Sequence, residues 1–267
     1  MRVLALLAVV VSVLVPSAAA QRLTAEAVAR RVQDRDTGRD SRAALRMKLY
    51  DRRGRARDRA LSLLTLKGNG GAGDRLLIRF TYPNDIRGTG FLVWEHPESE
   101  DERFLYLPSL GRVRRIAGSE AQDSFVGSDF SYEDIGGREF DEYTYAFAGA
   151  GGEDASWTAP DGRTHPAWRL ESKRKNASAE FPRVVSLVLK DSFVVVQADI
   201  FNRRNEPQKQ YTVQRLEPVQ KIWTVLASTM TNGLDRTKTE LGVEKIEYNV
   251  GLKEDAFTRR ELEAAIK

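Results

Sequence analysis

Four carboxylates lie close together at Asp123, Asp129, Glu133 and Asp134. Acidic oxygens in such a cluster can ligate calcium or act as the acid and base of a glycosidase. The spacing is not that of an EF-hand loop, however, and Phe125, Phe130 and Tyr132 are interleaved with the acids. Loop acids and strand-end hydrogen bonds account better for this pattern, although a carboxylate-dependent hydrolase remains the enzymatic alternative. His96 and His165 are the two histidines; each precedes a proline and neither has a partner at zinc-ligand spacing. No Gly-x-Ser-x-Gly elbow presents a serine, and Gly127-Ser128-Asp129 reads as a turn. The chain has no cysteine, which rules out a thiol nucleophile, a thiolate metal site and a disulfide framework. The sequence therefore predicts no catalytic residue, no metal and no cofactor.

The same absence removes a lipid-anchoring cysteine behind the N-terminal leader. That leader consists of Arg2, the uncharged apolar run Val3 to Val15, and Ala18-Ala19-Ala20 before Gln21. Its apolar run falls short of the roughly 20 residues of a membrane-spanning helix and matches a cleaved secretory signal. Residues 1–20 are accordingly read as a signal peptide and 21–267 as a single domain, soluble in the periplasm of a Gram-negative bacterium. Removing Arg2 from 42 basic residues leaves 41 against 38 acidic ones, a net charge of +3. This small excess argues for no nucleic-acid partner in an exported chain and leaves an anionic membrane surface as a partner to consider. The densest basic run, Arg52 to Arg59, sits on a turn where charge is readily solvated.

Several elements must position any site. Thr24 caps a helix that ends near Asp34, with Leu23 stapled on Val28. From Arg42 the period becomes two: Leu45, Met47 and Leu49 alternate with Ala44, Arg46 and Lys48, and Ala60 to Lys67 returns to complete a hairpin. Strands follow at about 75–82, 90–95, 103–107 and 112–116. Residues 118–128 suit a helical turn, and the chain past Ile135 reads as less regular. Strands resume from Trp168 to Tyr248 at the spacing of an antiparallel meander. Thr258 and Glu261 cap a final short helix, with Phe257 and Leu262 as its staple. Roughly ten strands and two or three helices suggest one curved antiparallel sheet closed by helices.

Large apolar side chains dominate that sheet. Leu76, Ile78, Phe80 and Tyr82 share one strand face, and Phe91, Val93, Phe104 and Tyr106 come from the next strands. Val194, Val196, Ile222 and Leu226 come from the later meander. Many of these must be core. Yet Leu76-Leu77-Ile78 and Val194-Val195-Val196 are apolar on both faces, so each face must be covered by chain or left to an apolar ligand. These twelve residues are the expected lining of a hydrophobic cavity. An acyl chain buried there would gain roughly 0.8 kcal/mol per methylene without any charged anchor.

Three segments carry a family resemblance: Phe80 to Trp94, Glu102 to Ile116 and Asp123 to Ile135. The tail adds Tyr211-Thr-Val, Trp223, Met230-Thr-Asn232 and Asp255-Ala-Phe-Thr258. In this order they resemble the LolA-like outer-membrane lipoprotein-sorting family, in its broad periplasmic branch rather than the lipoprotein carrier itself. The resemblance implies a mainly β (α+β) fold, an incomplete antiparallel β-barrel with lid helices over a hydrophobic cavity. It also implies a periplasmic carrier of lipid or lipoprotein acyl chains, moving cargo toward the outer membrane. Some of this branch are associated with export pumps, so an adaptor docked to an inner-membrane RND-type transporter is the alternative function. The missing anchoring cysteine favours a free carrier over a membrane-anchored receptor.

Overall fold

The described residues open with a helix that its neighbours hold in place. A computed structural model describes residues 22–69 and 72–264; the leader, at residues 1–20, lies outside the described residues. Helix α1 (Ala25–Gln33) is capped by Thr24, whose hydroxyl accepts from the Ala27 N–H at 3.1 Å. Leu23 and Val28 meet in one apolar cluster, as the staple requires.

Six strands follow: β1 (Asp40–Tyr50), β2 (Ala56–Leu66), β3 (Arg75–Tyr82), β4 (Gly90–Trp94), β5 (Glu102–Leu107) and β6 (Arg112–Ile116). A long crossover segment, 117–142, carries the short helix α2 (Tyr132–Gly136). Next come β7 (Tyr143–Phe147), β8 (Ala155–Thr158), β9 (Thr164–Arg174), β10 (Arg183–Leu189), β11 (Val195–Phe201), β12 (Pro207–Val219), β13 (Ile222–Asn232) and β14 (Thr237–Tyr248). Helix α3 (Arg259–Glu263) is last; its Thr258 cap accepts from the Glu261 N–H at 3.1 Å. Strands β7 and β8 fall in the stretch that reads as irregular, which raises the strand count above the ten expected.

All fourteen strands join one antiparallel sheet in the order β6-β5-β4-β3-β2-β1-β14-β13-β12-β11-β10-β9-β7, with β8 paired to β9. The sheet is strongly curved and does not close; β6 and β7 are its free edges. These edge strands are consecutive in the chain, so the segment joining them must travel from one edge to the other. It does so across the concave face. The topology alone thus makes 117–142 the cover of the half-barrel.

Alternation along β1 sends Ser41, Ala43, Leu45, Met47 and Leu49 inward, while Arg42, Ala44 and Arg46 are exposed. Opposite Ala44 and Leu45 the register of β14 skips Glu244, a bulge that keeps Val243, Ile246 and Tyr248 on the same inner face.

Candidate functional site: a graded cavity under the crossover

The crossover is fastened at several points. Phe125 is fully buried among Phe80, Phe91 and Tyr132, with ring centroids 5.4–5.8 Å apart. Val126 adopts a left-handed backbone at φ 49°, costly for a β-branched residue. Its carbonyl accepts from buried Arg59 at 2.6 Å, which holds the turn down. Asp129 accepts from the hydroxyls of Thr237 and Thr239 on β14, the latter at 2.7 Å. Gln122 bonds the backbone of Phe181 in both directions at 3.1 Å.

The clustered acids are used in this fastening. Glu133 is buried, accepts from Gln122 at 3.2 Å and pairs with Arg174. Asp134 forms a capping box with Ser131 and an ion pair with Arg138 at 2.6 Å. Burial works against its charge, but Arg138 and Ser131 more than compensate and hold the carboxyl below its usual range. Asp123 alone of the four is exposed. The two histidines sit apart in role: His96 meets Glu102 at 3.2 Å, and His165 lies against Trp157. Among the described residues no group of three or more metal-binding side chains comes together.

Beneath the crossover lies a cavity of about 650 Å³, within the range of roughly 300–1,000 Å³ typical of small-molecule sites. Its walls come from the central strands β1, β2, β10, β11, β13 and β14, and its roof from 130–138 and the end of α1. Trp223 both lines it and is 39% exposed, so the cavity meets solvent there.

The sheet register orders the wall by depth. At the α1 end, Thr65, Ser41 and Tyr248 stand side by side on neighbouring strands. Their hydroxyls are paired, Ser41 with Thr65 at 2.7 Å and Tyr248 with Thr224 at 2.8 Å. The next row is Leu63, Ala43 and Ile246, followed by Leu45 and Val243. Leu241, Met230, Ile200 and Phe130 line the far part. The cavity thus has a row of hydroxyls at its mouth and a mainly aliphatic wall beyond it, to which Tyr211, Ser186 and Ser228 add polar atoms.

Arg35 lines the mouth, donating one hydrogen bond to the Trp223 carbonyl at 3.3 Å. Burial, the leading influence, pulls its guanidinium below the usual range. Glu95, on an adjoining recess of about 330 Å³, is pushed up to about 7 by burial and by the charges of Asp74 and Asp101.

The residues expected to line a cavity are distributed differently. Val194 is on the cavity wall, and Leu76 and Val93 line the adjoining recess. Ile78, Phe80, Phe91 and Val93 belong to the core that Phe125 and Tyr132 fill. Phe104 and Tyr106 face the other side of the sheet, where Phe257 and Leu262 of the α3 segment cover them together with Leu77 and Leu92. That contact is close enough that a Cβ on Gly90 would come within 2.6 Å of Leu262. Helix α3 therefore braces the convex face, and only α1 and α2 border the cavity. The register of β11 slips at Val196, turning it toward Trp157 and Val213 and leaving Val195 on the wall. Tyr82 is 52% exposed, Ile222 is buried off the wall, and Leu226 is half-buried without lining it. Arg35, Ala43, Leu45 and Val243 are among the many wall residues absent from the expected lining.

Comparison with known proteins places this geometry. A family model described as an uncharacterized protein matches residues 72–264. A DUF1329 family protein from Desulfovibrio piger is 30% identical, with 89% of this chain and 97% of that one covered and a TM-score of 0.77. The chain belongs to the DUF1329 family. A domain named for outer membrane lipoprotein sorting, from Vibrio parahaemolyticus, is 26% identical over 90% of this chain and 98% of its own, with a TM-score of 0.79. A LolA superfamily protein from Nitrosomonas europaea shares the fold at 14% identity and a TM-score of 0.66, with 90% and 99% of the chains covered. No curated protein matches. The DUF1329 chain described here thus has the open LolA-like half-barrel. Among its described residues no helix is long and apolar enough to cross a membrane.

Proposed function

We propose that this protein is a periplasmic carrier, exported by its N-terminal signal, which shelters the acyl part of a lipid or lipoprotein on its way toward the outer membrane. The observation that carries this reading is the aliphatic interior left unfilled between the crossover and the central strands. The DUF1329 relationship and the lipoprotein-sorting neighbour support it, as does the use of Asp129, Glu133 and Asp134 in structural bonds. Carriage is passive: apolar burial holds the cargo, and a partner that binds it better shifts the equilibrium toward release. Loading requires the mouth beside α1 and Trp223 to widen; the crossover is pinned too firmly by Phe125 and Asp129 to lift as a whole.

Displacement of a bound fluorescent fatty acid by unlabelled diacyl lipid or acylated peptide tests this. Saturable binding with displacement is expected. Absence of any binding by folded, delipidated protein would remove the carrier reading. Recovery of an RND-type pump with that same cargo-free protein would put the adaptor in its place.

A further inference from the structure

The cavity has two unlike ends, and its charged groups are unevenly matched. Glu133, Asp134 and Arg138 all border it, but their charges are spent on one another and on Arg174. Arg35 differs. Among the described residues no carboxylate lies within salt-bridge distance of it, and its one hydrogen bond, to the Trp223 carbonyl, is a long 3.3 Å. A guanidinium carries five N–H donors, so most of its capacity is unused. It stands where the hydroxyls of Ser41, Thr65, Thr224 and Tyr248 gather, and unlike Glu133, Asp134 and Arg138 it has no ion-pair partner within reach among the described residues. Arg35 is half-buried, and Asp36 favours its charge only from beyond salt-bridge distance; partial burial of so weakly compensated a cation is unfavourable, and an incoming anion relieves it. The lowering of the Arg35 pKa by burial expresses the same imbalance.

We infer that the cavity binds its guest in one orientation, with the hydrocarbon toward Leu45, Val243 and Met230 and an anionic oxygen head group held at the mouth by Arg35. The guest class is therefore an anionic amphiphile, its head a carboxylate or a phosphate. This rests on the carrier reading and goes beyond it by naming the head group and the direction. A planar guanidinium suits both heads, since each offers two oxygens to two parallel N–H groups.

Three ligands with the same chain separate the possibilities: dodecanoate, dodecyl phosphate and dodecanol, each displacing the uncharged probe N-phenyl-1-naphthylamine. At least one anion should bind about tenfold or more tightly than dodecanol, the increment of a charge-assisted contact. Which anion wins distinguishes a carboxylate source from a phosphate source. Arg35→Gln should bring the affinity for that anion to within about twofold of the same variant's affinity for dodecanol, and Arg35→Lys should retain part of the preference. Thermal melting of each variant verifies folding, and a misfolded Arg35→Gln leaves the wild-type preference and Arg35→Lys as the deciding comparisons. Equal binding of anion and alcohol by the wild type, or a preference that survives Arg35→Gln, overturns the inference and leaves carriage standing. If neither the probe nor any of the three binds, the carrier reading fails, and the orientation with it.

Discussion

The two halves of the sheet treat their apolar faces in opposite ways. Strands β3 to β5 are apolar on both sides, and the chain covers both: Phe125 and Tyr132 on the concave face, Phe257 and Leu262 on the convex one. Strands β1 and β14 alternate conventionally, exposing charge outward and presenting Ala43, Leu45 and Val243 inward, and the uncharged β13 adds Met230. There the crossover stands off and the space stays open. Doubly apolar β3 to β5 thus mark where the protein fills itself, whereas the doubly apolar Val194-Val195 step of the later meander reaches the open wall. The guest space otherwise adjoins strands that look ordinary.

This difference can be broken from either side. The largest effect belongs to the filled wall. Phe91 is fully buried against Phe125 and Tyr132, so Phe91→Ala should cost about 4 kcal/mol in chemical denaturation. Ligand affinity of the fraction that remains folded should change little. Arg174→Met leaves Glu133 buried without its ion-pair partner and should cost about 3 kcal/mol. If that variant is as stable as wild type, the structural role given to Glu133 is wrong and an acid–base role regains ground.

Glu95 lies beside the recess between the two walls and makes a pH-dependent case. Its folded-state pKa, about 7, stands above the ordinary 4.5, because burial and then Asp74 and Asp101 disfavour the ionised form. Its contribution to stability is therefore fullest below about 4.5 and declines as pH rises through 7. Glu95→Gln should match wild type at pH 4 and exceed it by about 2 kcal/mol at pH 8, read from urea midpoints at both pH values. A stability gain of equal size at pH 4 would contradict that assignment.

The smallest stability change should accompany the largest change in binding. Ala43 lines the cavity, so Ala43→Leu adds carbons at the guest space and stability should shift by about 1 kcal/mol. Fatty-acid binding should weaken at least tenfold. Paired with Phe91→Ala, it separates a residue that holds the fold from one that shapes the guest space.

Much of the fold was legible. The Thr24 and Thr258 caps, the β1–β2 hairpin and the meander from β9 to β14 follow from local chemistry that tertiary contacts do not override. Strands β7 and β8 were hidden because each is short and set among glycine-rich turns, with pairing to β9 supplying what alternation does not. The site was legible only in kind. Periodicity shows that Phe104 and Phe91 are buried, but not that α3 covers one and Phe125 the other. A one-residue slip at Val196 reverses which side chain reaches the wall. Arg35, next to Asp36 and just past a helix, looks like ordinary surface until the fold carries Trp223 and Tyr248 to it.

The central claim is that the open wall is a guest site. Native mass spectrometry of the protein purified from its own host tests it most directly. Carriage predicts a population heavier by the mass of an acyl-bearing lipid, lost on delipidation and absent from Ala43→Leu. A single unliganded mass for the wild-type protein, under conditions that preserve a known lipid-carrier complex, would contradict it.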